Sequence, residues 1–554
     1  MAEQQQRDLN HRTKDMPWYH WAMIRANGIS DANRGRPIVE IVNTWSERNP
    51  GHQHLRGLAE AVKRGVIRAG GLPLEYNTLS LCPGQTLPNR NLLAMETEAV
   101  FLHEESDAAV FICTCDKDIP ALLLAAARVN IPSIFVLGGT MLPGRWLGQD
   151  VVCCTDLQRA ETERRAGTIT EAEFELFKEC VIPGCGACGP LGTANTMQSM
   201  TEALGMALPG SATTPAVSAE LLRRAEDSGA KVIELLAKNL CPRDIMTSAA
   251  VDNAIKTLMA MGGSTNAVIH LIALAHQLDF DLPLDRFDAI SRETPYLVNV
   301  KPSGTYAVAD LHESGGVYQV MKNLEPLLDT SVKTVTGATL EETLAHRPVS
   351  NDDRIHDLDH LILPEGGLAV IRGNLAPRGA ILKHAGSRDR RLLQHCGPAL
   401  VFDSGEEARR VLADESLDVS EDTVIVLRYE GPKAHYMPEL GALPIPYKLA
   451  RKGIKDMVRI NDCRMSGTNF GTIVLHISPE AYLGGPLAAV QNGDIIELNL
   501  DKRELNLLVP DEEIARRLAN WSPPEPKYDY KRGPLALWYQ NCEQADKGCI
   551  YPWM

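Results

Sequence analysis

Two cysteines, Cys185 and Cys188, stand in a glycine-rich stretch, VIPGCGACGPLGTANTMQSM (181–200). From Thr193 the pattern turns helical, with Met197, Met200 and Leu204 on one side. Gly184, Gly186, Gly189 and Gly192 allow tight turning and close approach to a ligand. A helix N-terminus offers unpaired N–H groups and a partial positive charge. That setting favours the thiolate, the form of cysteine that binds metal. A second group is the consecutive Cys115-Asp116-Lys117. A third is MGGSTNAVIHL (261–271), where Ser264 and Thr265 can cap a helix carrying Asn266 and His270. Such a helix start could cradle an anionic group. His270 itself reads as a core histidine.

The elements around these residues form a pattern. DAAVFIC (107–113) reads as a buried strand, IPALLLAAARVN as a helix and IPSIFVLGG (131–139) as the next strand. That crossover implies a parallel sheet, with Cys115, Asp116 and Lys117 where strands of such sheets present ligands. Upstream, a strand is expected over 37–42, a helix over 55–69 ending at Gly70 and Gly71, and a strand over 74–81. Residues 1–35 read as a polar arm, with Trp18, Tyr19 and Trp21 able to pin it to another subunit. A polar, acidic stretch near 346–365 marks a boundary. After it come short β segments spaced as in an all-β barrel or sandwich. The expected organisation is an arm (1–35), an α/β domain (36–350) and a β-rich, barrel-like domain (351–554). The aromatic tail is expected to dock on the fold or on a neighbour.

Composition limits the function classes. The chain has 554 residues, 44% hydrophobic and 23% charged, with a formal net charge of −15. Two domains are the default at this length. The negative charge argues against nucleic acid or an anionic membrane surface as partner. No apolar run approaches the ~18 residues of a membrane span. The N-terminus lacks the apolar core of a signal peptide. Thirteen cysteines are too sparse for a disulfide scaffold. A reducing cytoplasm is expected, where clustered cysteines mean metal or redox chemistry.

Seven motifs in order carry a resemblance. They are CDKDIPALLLAAA (115–127), GCGACGPLGTANTM (184–197), MGGSTNAVIHL (261–271), GNLAPRGAILK (373–383), RYEGPK (428–433), DCRMSGTNFGT (462–472) and SPEAYLGGPLA (478–488). Over nearly its whole length the chain resembles the dihydroxy-acid and sugar-acid dehydratases, the IlvD/Edd family. The RMSGT form is more similar to the sugar-acid branch. The resemblance implies an α/β N-terminal domain, a β-rich C-terminal domain and a site between them. It implies an iron–sulfur cluster, most simply 2Fe-2S, and Mg²⁺. The implied reaction removes water from a 2,3-dihydroxy acid to give a 2-keto acid. By position, Cys115 and Cys188 would be cluster ligands. Asp116, Lys117 (carbamylated in the family) and Glu439 would bind Mg²⁺, and Ser466 would be the base. Relatives assemble as dimers or tetramers, so a homodimer or homotetramer acting on a small acidic substrate is expected.

Two positions depart from the family pattern. Gly51 stands where the family has a third cluster cysteine. Cys82-Pro83 stands where it has an acidic Mg²⁺ ligand. Cys82, Cys185 or His52 could complete a changed cluster, Cys82 being attractive because it lies on the loop of the lost carboxylate. The loop AHYMPE after RYEGPK also lacks the family's glycine-rich run. The same losses fit a cluster-free homologue that binds small acids or partners without turning them over.

Overall fold

A computed structural model describes residues 16–80, 87–104, 106–165, 167–528 and 530–554. The first half is built on four strands: β1 (Ile38–Asn43), β2 (Leu72–Asn77), β3 (Ala108–Cys113) and β4 (Ser133–Leu137). They lie in the order β2-β1-β3-β4 and every pair is parallel. β1, β3 and β4 are buried along their whole length. Strands covered on both faces read as the continuous apolar runs seen in the sequence. The expected strand over 74–81 begins earlier and ends at Asn77; residue 81 lies outside the described residues.

Right-handed crossovers put successive helices on opposite faces when the strand order reverses. Helix α2 (Leu55–Arg68) links β1 to β2, and α3 (Leu87–His103) and α4 (Asp118–Val129) follow β2 and β3. The order reverses between β1 and β3. The crevice at the carboxyl ends of strands at such a reversal is where these sheets bind ligands. The turn Asn49–His52 leaves β1 there and Cys115–Lys117 leaves β3 there.

Helix α2 crosses α7 (Ala219–Lys238) at a pair of glycines. A Cβ on Gly65 would lie 1.9 Å from the Glu226 carbonyl oxygen, and one on Gly229 would lie 2.2 Å from that of Val62. Backbone touches backbone at this crossing, which only glycine permits. Between β4 and α7 lie a hairpin of β5 (Gly144–Trp146) and β6 (Gln149–Val151), helix α5 (Thr155–Arg165) and helix α6 (Thr193–Ala203). Helix α8 (Asn266–Gln277) is buried along almost all its length.

The second half is an eight-stranded, nearly closed sheet, β14-β13-β9-β10-β11-β12-β8-β7. Its strands are β7 (Ala369–Ile371), β8 (Gly379–Leu382), β9 (Gln394–Phe402), β10 (Val424–Leu427), β11 (Arg459–Asn461), β12 (Ile473–Ser478), β13 (Ile495–Asn499) and β14 (Glu504–Leu507). Arg372 and Glu504 bridge the two edges, with Leu505 N–H donating to the Arg372 carbonyl over 2.6 Å. The barrel-like expectation holds, but the domain is not all-β. β9, β10, β11 and β12 run parallel, so crossovers with short helices such as Gly405–Leu412 connect them. The three-residue β11 carried too short a pattern to be noticed in the sequence.

The 346–365 stretch is not a free connector. It bridges back to the first half through Val298–Ile355 and Tyr296–Leu363. Leu368, Val370 and Ile381 then join the large core of the first half, while a second core fills the sheet of the second. At the N-terminus the expected arm contains helix α1 (Trp18–Ala26), with Trp21 buried and Trp18 80% exposed. The C-terminal tail docks on its own chain. Arg90 donates to the carbonyls of Gly548 and Cys549, and Tyr551 is buried.

Two outcomes follow from this packing. Gly229→Ala should lower stability by about 1–3 kcal/mol through forced separation of α2 and α7. Gly57→Ala, with open space around its Cβ, should instead raise it by about 0.5–1 kcal/mol; denaturant midpoints check both. Glu40, buried in β1 beside Ser106, has its carboxyl pushed up to about 7 by burial. The folded chain therefore holds a proton the unfolded chain releases near 4.5. This group's contribution is full below that pH and is lost as pH rises through about 7. Glu40→Gln should be more stable than the parent at pH 8, with the gap closing by pH 5, in melts at both values.

Candidate functional site

The crevice is built from loop starts of helices. Lys117 precedes α4, and its carbonyl accepts from the Ala121 N–H at 3.1 Å. Its side chain is 1% exposed. The ammonium is ion-paired with Asp116 and lies 3.3 Å from Glu439 Oε1. Glu439 Oε1 also accepts from Arg464 at 2.8 Å and from Asn266 Nδ2 at 2.9 Å. Asp116, Lys117 and Glu439 are thus brought together from 322 residues apart in sequence. Asp116 is not a helix cap: its Oδ1 and the Asn266 Oδ1 are buried with no partner.

Asn266 opens α8 and Thr193 opens α6. Thr193 Oγ1 lies 2.9 Å from Ser264 Oγ and 2.9 Å from Asn266 Nδ2. The Met465 carbonyl accepts from the same Asn266 amide at 3.2 Å. The Ser466-Gly467-Thr468 loop lies directly on these helix starts. A Cβ on Gly467 would stand 2.6 Å from Ser264 Oγ and 2.7 Å from Thr193 N. Ser466 Oγ is 2.7 Å from Thr468 Oγ1. Three helix N-termini, of α4, α6 and α8, therefore converge on the oxygen cluster and Ser466. Their combined dipoles favour an anion.

A group of sulfurs reaches the Ser466 loop through Thr468. Cys153, Cys154 and Cys188 have sulfurs that are all within 4.8 Å of one another. Hydrogen bonding from Cys153, then Cys188, pulls the Cys154 thiol well below its ordinary value, and Thr468 adds to it. The same contacts push Cys153 and Cys188 up. Cys154 is thus the thiol of the three most inclined to ionise. Thr468 links it to Ser466.

Cys115 is buried at the end of β3. Asn49 Nδ2 is 3.0 Å from its sulfur, and Asn49 Oδ1 accepts from the Gly51 N–H. A Cβ on Gly51 would stand 2.8 Å from Cys115 Sγ and 3.5 Å from the Gly186 carbonyl oxygen. Position 51 therefore faces the Cys115 sulfur and the cysteine loop. His52 is fully buried, with Nε2 3.2 Å from Asp118 Oδ2 and Nδ1 against Ser80. Burial pushes its imidazole down to about 4. His270 is a core histidine 3.2 Å from the Arg90 guanidinium. Cys82 and Pro83 lie outside the described residues.

Comparison with known proteins agrees with the geometry. The family description "Dihydroxy-acid/6-phosphogluconate dehydratase N-terminal" matches residues 36–343, and its C-terminal counterpart matches 353–549. The chain belongs to the dihydroxy-acid/6-phosphogluconate dehydratase family. Members of this family are hydro-lyases that dehydrate dihydroxy acids. The chain is 44% identical over 535 residues to "Putative dehydratase IlvD1" of Rhizobium meliloti, covering 96% of this chain and 93% of that one. It is 43% identical over 521 residues to a dihydroxy-acid dehydratase of Moorella thermoacetica, covering 92% and 93%. It is 42% identical over 528 residues to 6-deoxy-6-sulfo-D-gluconate dehydratase of Pseudomonas putida, covering 94% and 91%.

The residues present fit both groups that the family uses. The partnerless oxygens of Asp116 and Asn266 beside Glu439 suit a hard cation such as Mg²⁺. The grouped thiols suit iron–sulfur ligation. No helix among the described residues is long and apolar enough to cross a membrane.

Several site residues escaped sequence reasoning. Arg464 and Thr468 sit inside the RMSGT motif with no spacing that assigns them a partner. Asn266 was noted only as part of a capping stretch. The doublet Cys153-Cys154 was visible but lies 34 residues before Cys188, a separation that carries no metal code. Arg464 is fully buried and also donates to the Met437 carbonyl. Arg464→Met should cost about 3–5 kcal/mol, because it strands the Glu439 charge; Arg464→Lys should recover part of that. Denaturant unfolding checks both.

Proposed function

We propose that this chain removes water from a 2,3-dihydroxy acid, most specifically a sugar acid, to give a 2-keto-3-deoxy acid. The observation that supports it is the position of Ser466. Its loop packs on the starts of α6 and α8 through Gly467, and Thr468 joins Ser466 to the Cys153, Cys154 and Cys188 group. The acid end of a substrate is drawn by those helix starts and by the buried Arg464 guanidinium. Ser466 takes the C2 proton. A serine is a weak base, so it must act as the alkoxide, and the positive helix ends favour that form. Loss of the proton at C2 and of hydroxide at C3 leaves an enol, which becomes the ketone unaided.

Cys115 and Cys188 would hold the iron–sulfur cluster, whose Lewis acidity makes the 3-hydroxyl a leaving group when it is bound. Asp116, Glu439 and Lys117, the last as its carbamate, would hold Mg²⁺, which supplies charge to the carboxylate and the 2-hydroxyl. We place the protein in the cytoplasm, where its free cysteines stay reduced. The exposed Trp18 and Tyr19 of α1 support a homodimer or homotetramer.

A second reading rests on Gly51, which removes one expected thiol from beside Cys115. It makes the chain a cluster-free binder of small acids. The two readings separate in a panel of aldonic and branched dihydroxy acids assayed without oxygen. Keto-acid formation is expected, and its absence from protein that takes up no iron or sulfide yet binds an acid of the panel would support the binder. Ser466→Ala should abolish turnover and leave iron and sulfide content unchanged. Retained turnover would move the base elsewhere.

A further inference from the structure

Position 51 offers no sulfur, yet the cysteine loop is not short of thiols. The loop around Gly186 touches the Asn49–Gly51 turn at one end, with the Gly186 N–H donating to the Pro50 carbonyl at 3.2 Å. At its other end Cys188 meets Cys153 and Cys154. The doublet sits in a firmly held turn before α5. Asp156 Oδ2 accepts from the Val152 N–H at 2.8 Å and pairs with Lys301 at 2.9 Å. Thr155 Oγ1 donates to the Thr468 carbonyl at 2.7 Å, which ties the doublet to the Ser466 loop.

Two features set the triad apart from ordinary buried cysteines. The three sulfurs lie within 4.8 Å of one another and hydrogen-bond among themselves. Two thiolates on one tetrahedral metal, each about 2.3 Å from it, stand about 3.8 Å apart; the three sulfurs, all within 4.8 Å of one another, are close enough to share such a centre. Cys154 is also held at φ 64°, the left-handed region that a non-glycine residue occupies at a cost of about 1–3 kcal/mol. Such strain persists where the surroundings demand a particular side-chain position.

We propose that the Cys153-Cys154 turn, acting with Cys188, supplies the iron–sulfur ligation that Gly51 cannot. The inference rests on the cluster reading given above. It makes this chain a member whose cluster is anchored from the turn before α5 instead of the turn after β1. Binding transfers no electrons: the thiols lose protons to solvent and ligate iron as thiolates.

The test uses the full chain, purified without oxygen and reconstituted with ferrous iron and sulfide. Iron, acid-labile sulfide and visible absorption are measured per chain, with circular dichroism as the check on folding. The parent should be coloured and hold both elements. The Cys153→Ser/Cys154→Ser double variant should fall to the level of Cys188→Ser, and at least one single variant should show the loss. Cys185→Ser, in the same loop but outside the triad, should stay loaded. A folded double variant with parental iron and sulfide overturns the proposal. So does a parent that takes up zinc without sulfide, or no iron at all. Should the double variant fail to fold, alkylation of the parent decides. Cys153 or Cys154 must be protected from iodoacetamide on loading, and equal labelling overturns the proposal.

Turnover separates this inference from the dehydratase reading. Keto acid formed by a parent whose iron ignores the doublet keeps the reaction and removes the ligand assignment. Doublet-dependent iron with no turnover of any acid does the reverse.

Discussion

One carboxylate oxygen joins the two halves of this protein. Glu439 Oε1 comes from the second half and accepts from Lys117, Asn266 and Arg464. Lys117 lies at the end of β3, Asn266 at the start of α8, and Arg464 on the loop that carries Ser466. Buried charges need partners, and here Glu439 is shared by Arg464 and by Lys117, which also pairs with Asp116. The cluster therefore locks the Ser466 loop onto the sheet of the first half at a defined place. The closing segment 346–365 and the tail reinforce this docking with backbone bridges and with Arg90.

The rest of the crevice follows from topology. Reversal of strand order between β1 and β3 leaves an opening at their carboxyl ends. Helices that start there aim unpaired N–H groups into it. Short side chains, Thr193, Ser264 and Asn266, tie those starts together and leave space at Gly467 for the catalytic loop. The crevice thus holds a group of thiols, suited to soft metals, and a group of oxygens, suited to hard ones. The same logic explains why a chain of net negative charge can favour an acidic ligand. Local dipoles and buried cations set the potential in the crevice, while the surplus carboxylates lie mostly on the surface.

Much of this was legible in sequence. The strand–helix–strand unit over 107–139 announced the parallel sheet, because strands buried on both faces are written as unbroken apolar runs. Cys115, Asp116, Lys117 and Ser466 stand in motifs whose resemblance to a family places them together, Glu439 was placed with them only by position in the altered loop after RYEGPK, and the structure does bring Asp116, Lys117 and Glu439 into contact. The nearly closed sheet was legible as spaced β segments, but its parallel centre was not, since direction is a property of connections and β11 is three residues long. The Cys153-Cys154 doublet showed nothing by itself. Its meaning depends on Cys188 arriving from a separate loop.

The chain's local pattern determined the element types, the glycine-bearing turns, and the identity of the thiols, carboxylates and hydroxyl available for chemistry, because propensity, periodicity and residue type are local properties. Tertiary structure alone decided which of those groups meet: Glu439 with Lys117 and Arg464, Gly51 with the Cys115 sulfur, and Cys188 with Cys153 and Cys154. Those pairings join residues tens to hundreds of positions apart. They are selected by the burial of charge and by the close approach of backbones, neither of which any stretch of sequence can express before the chain has folded back on itself.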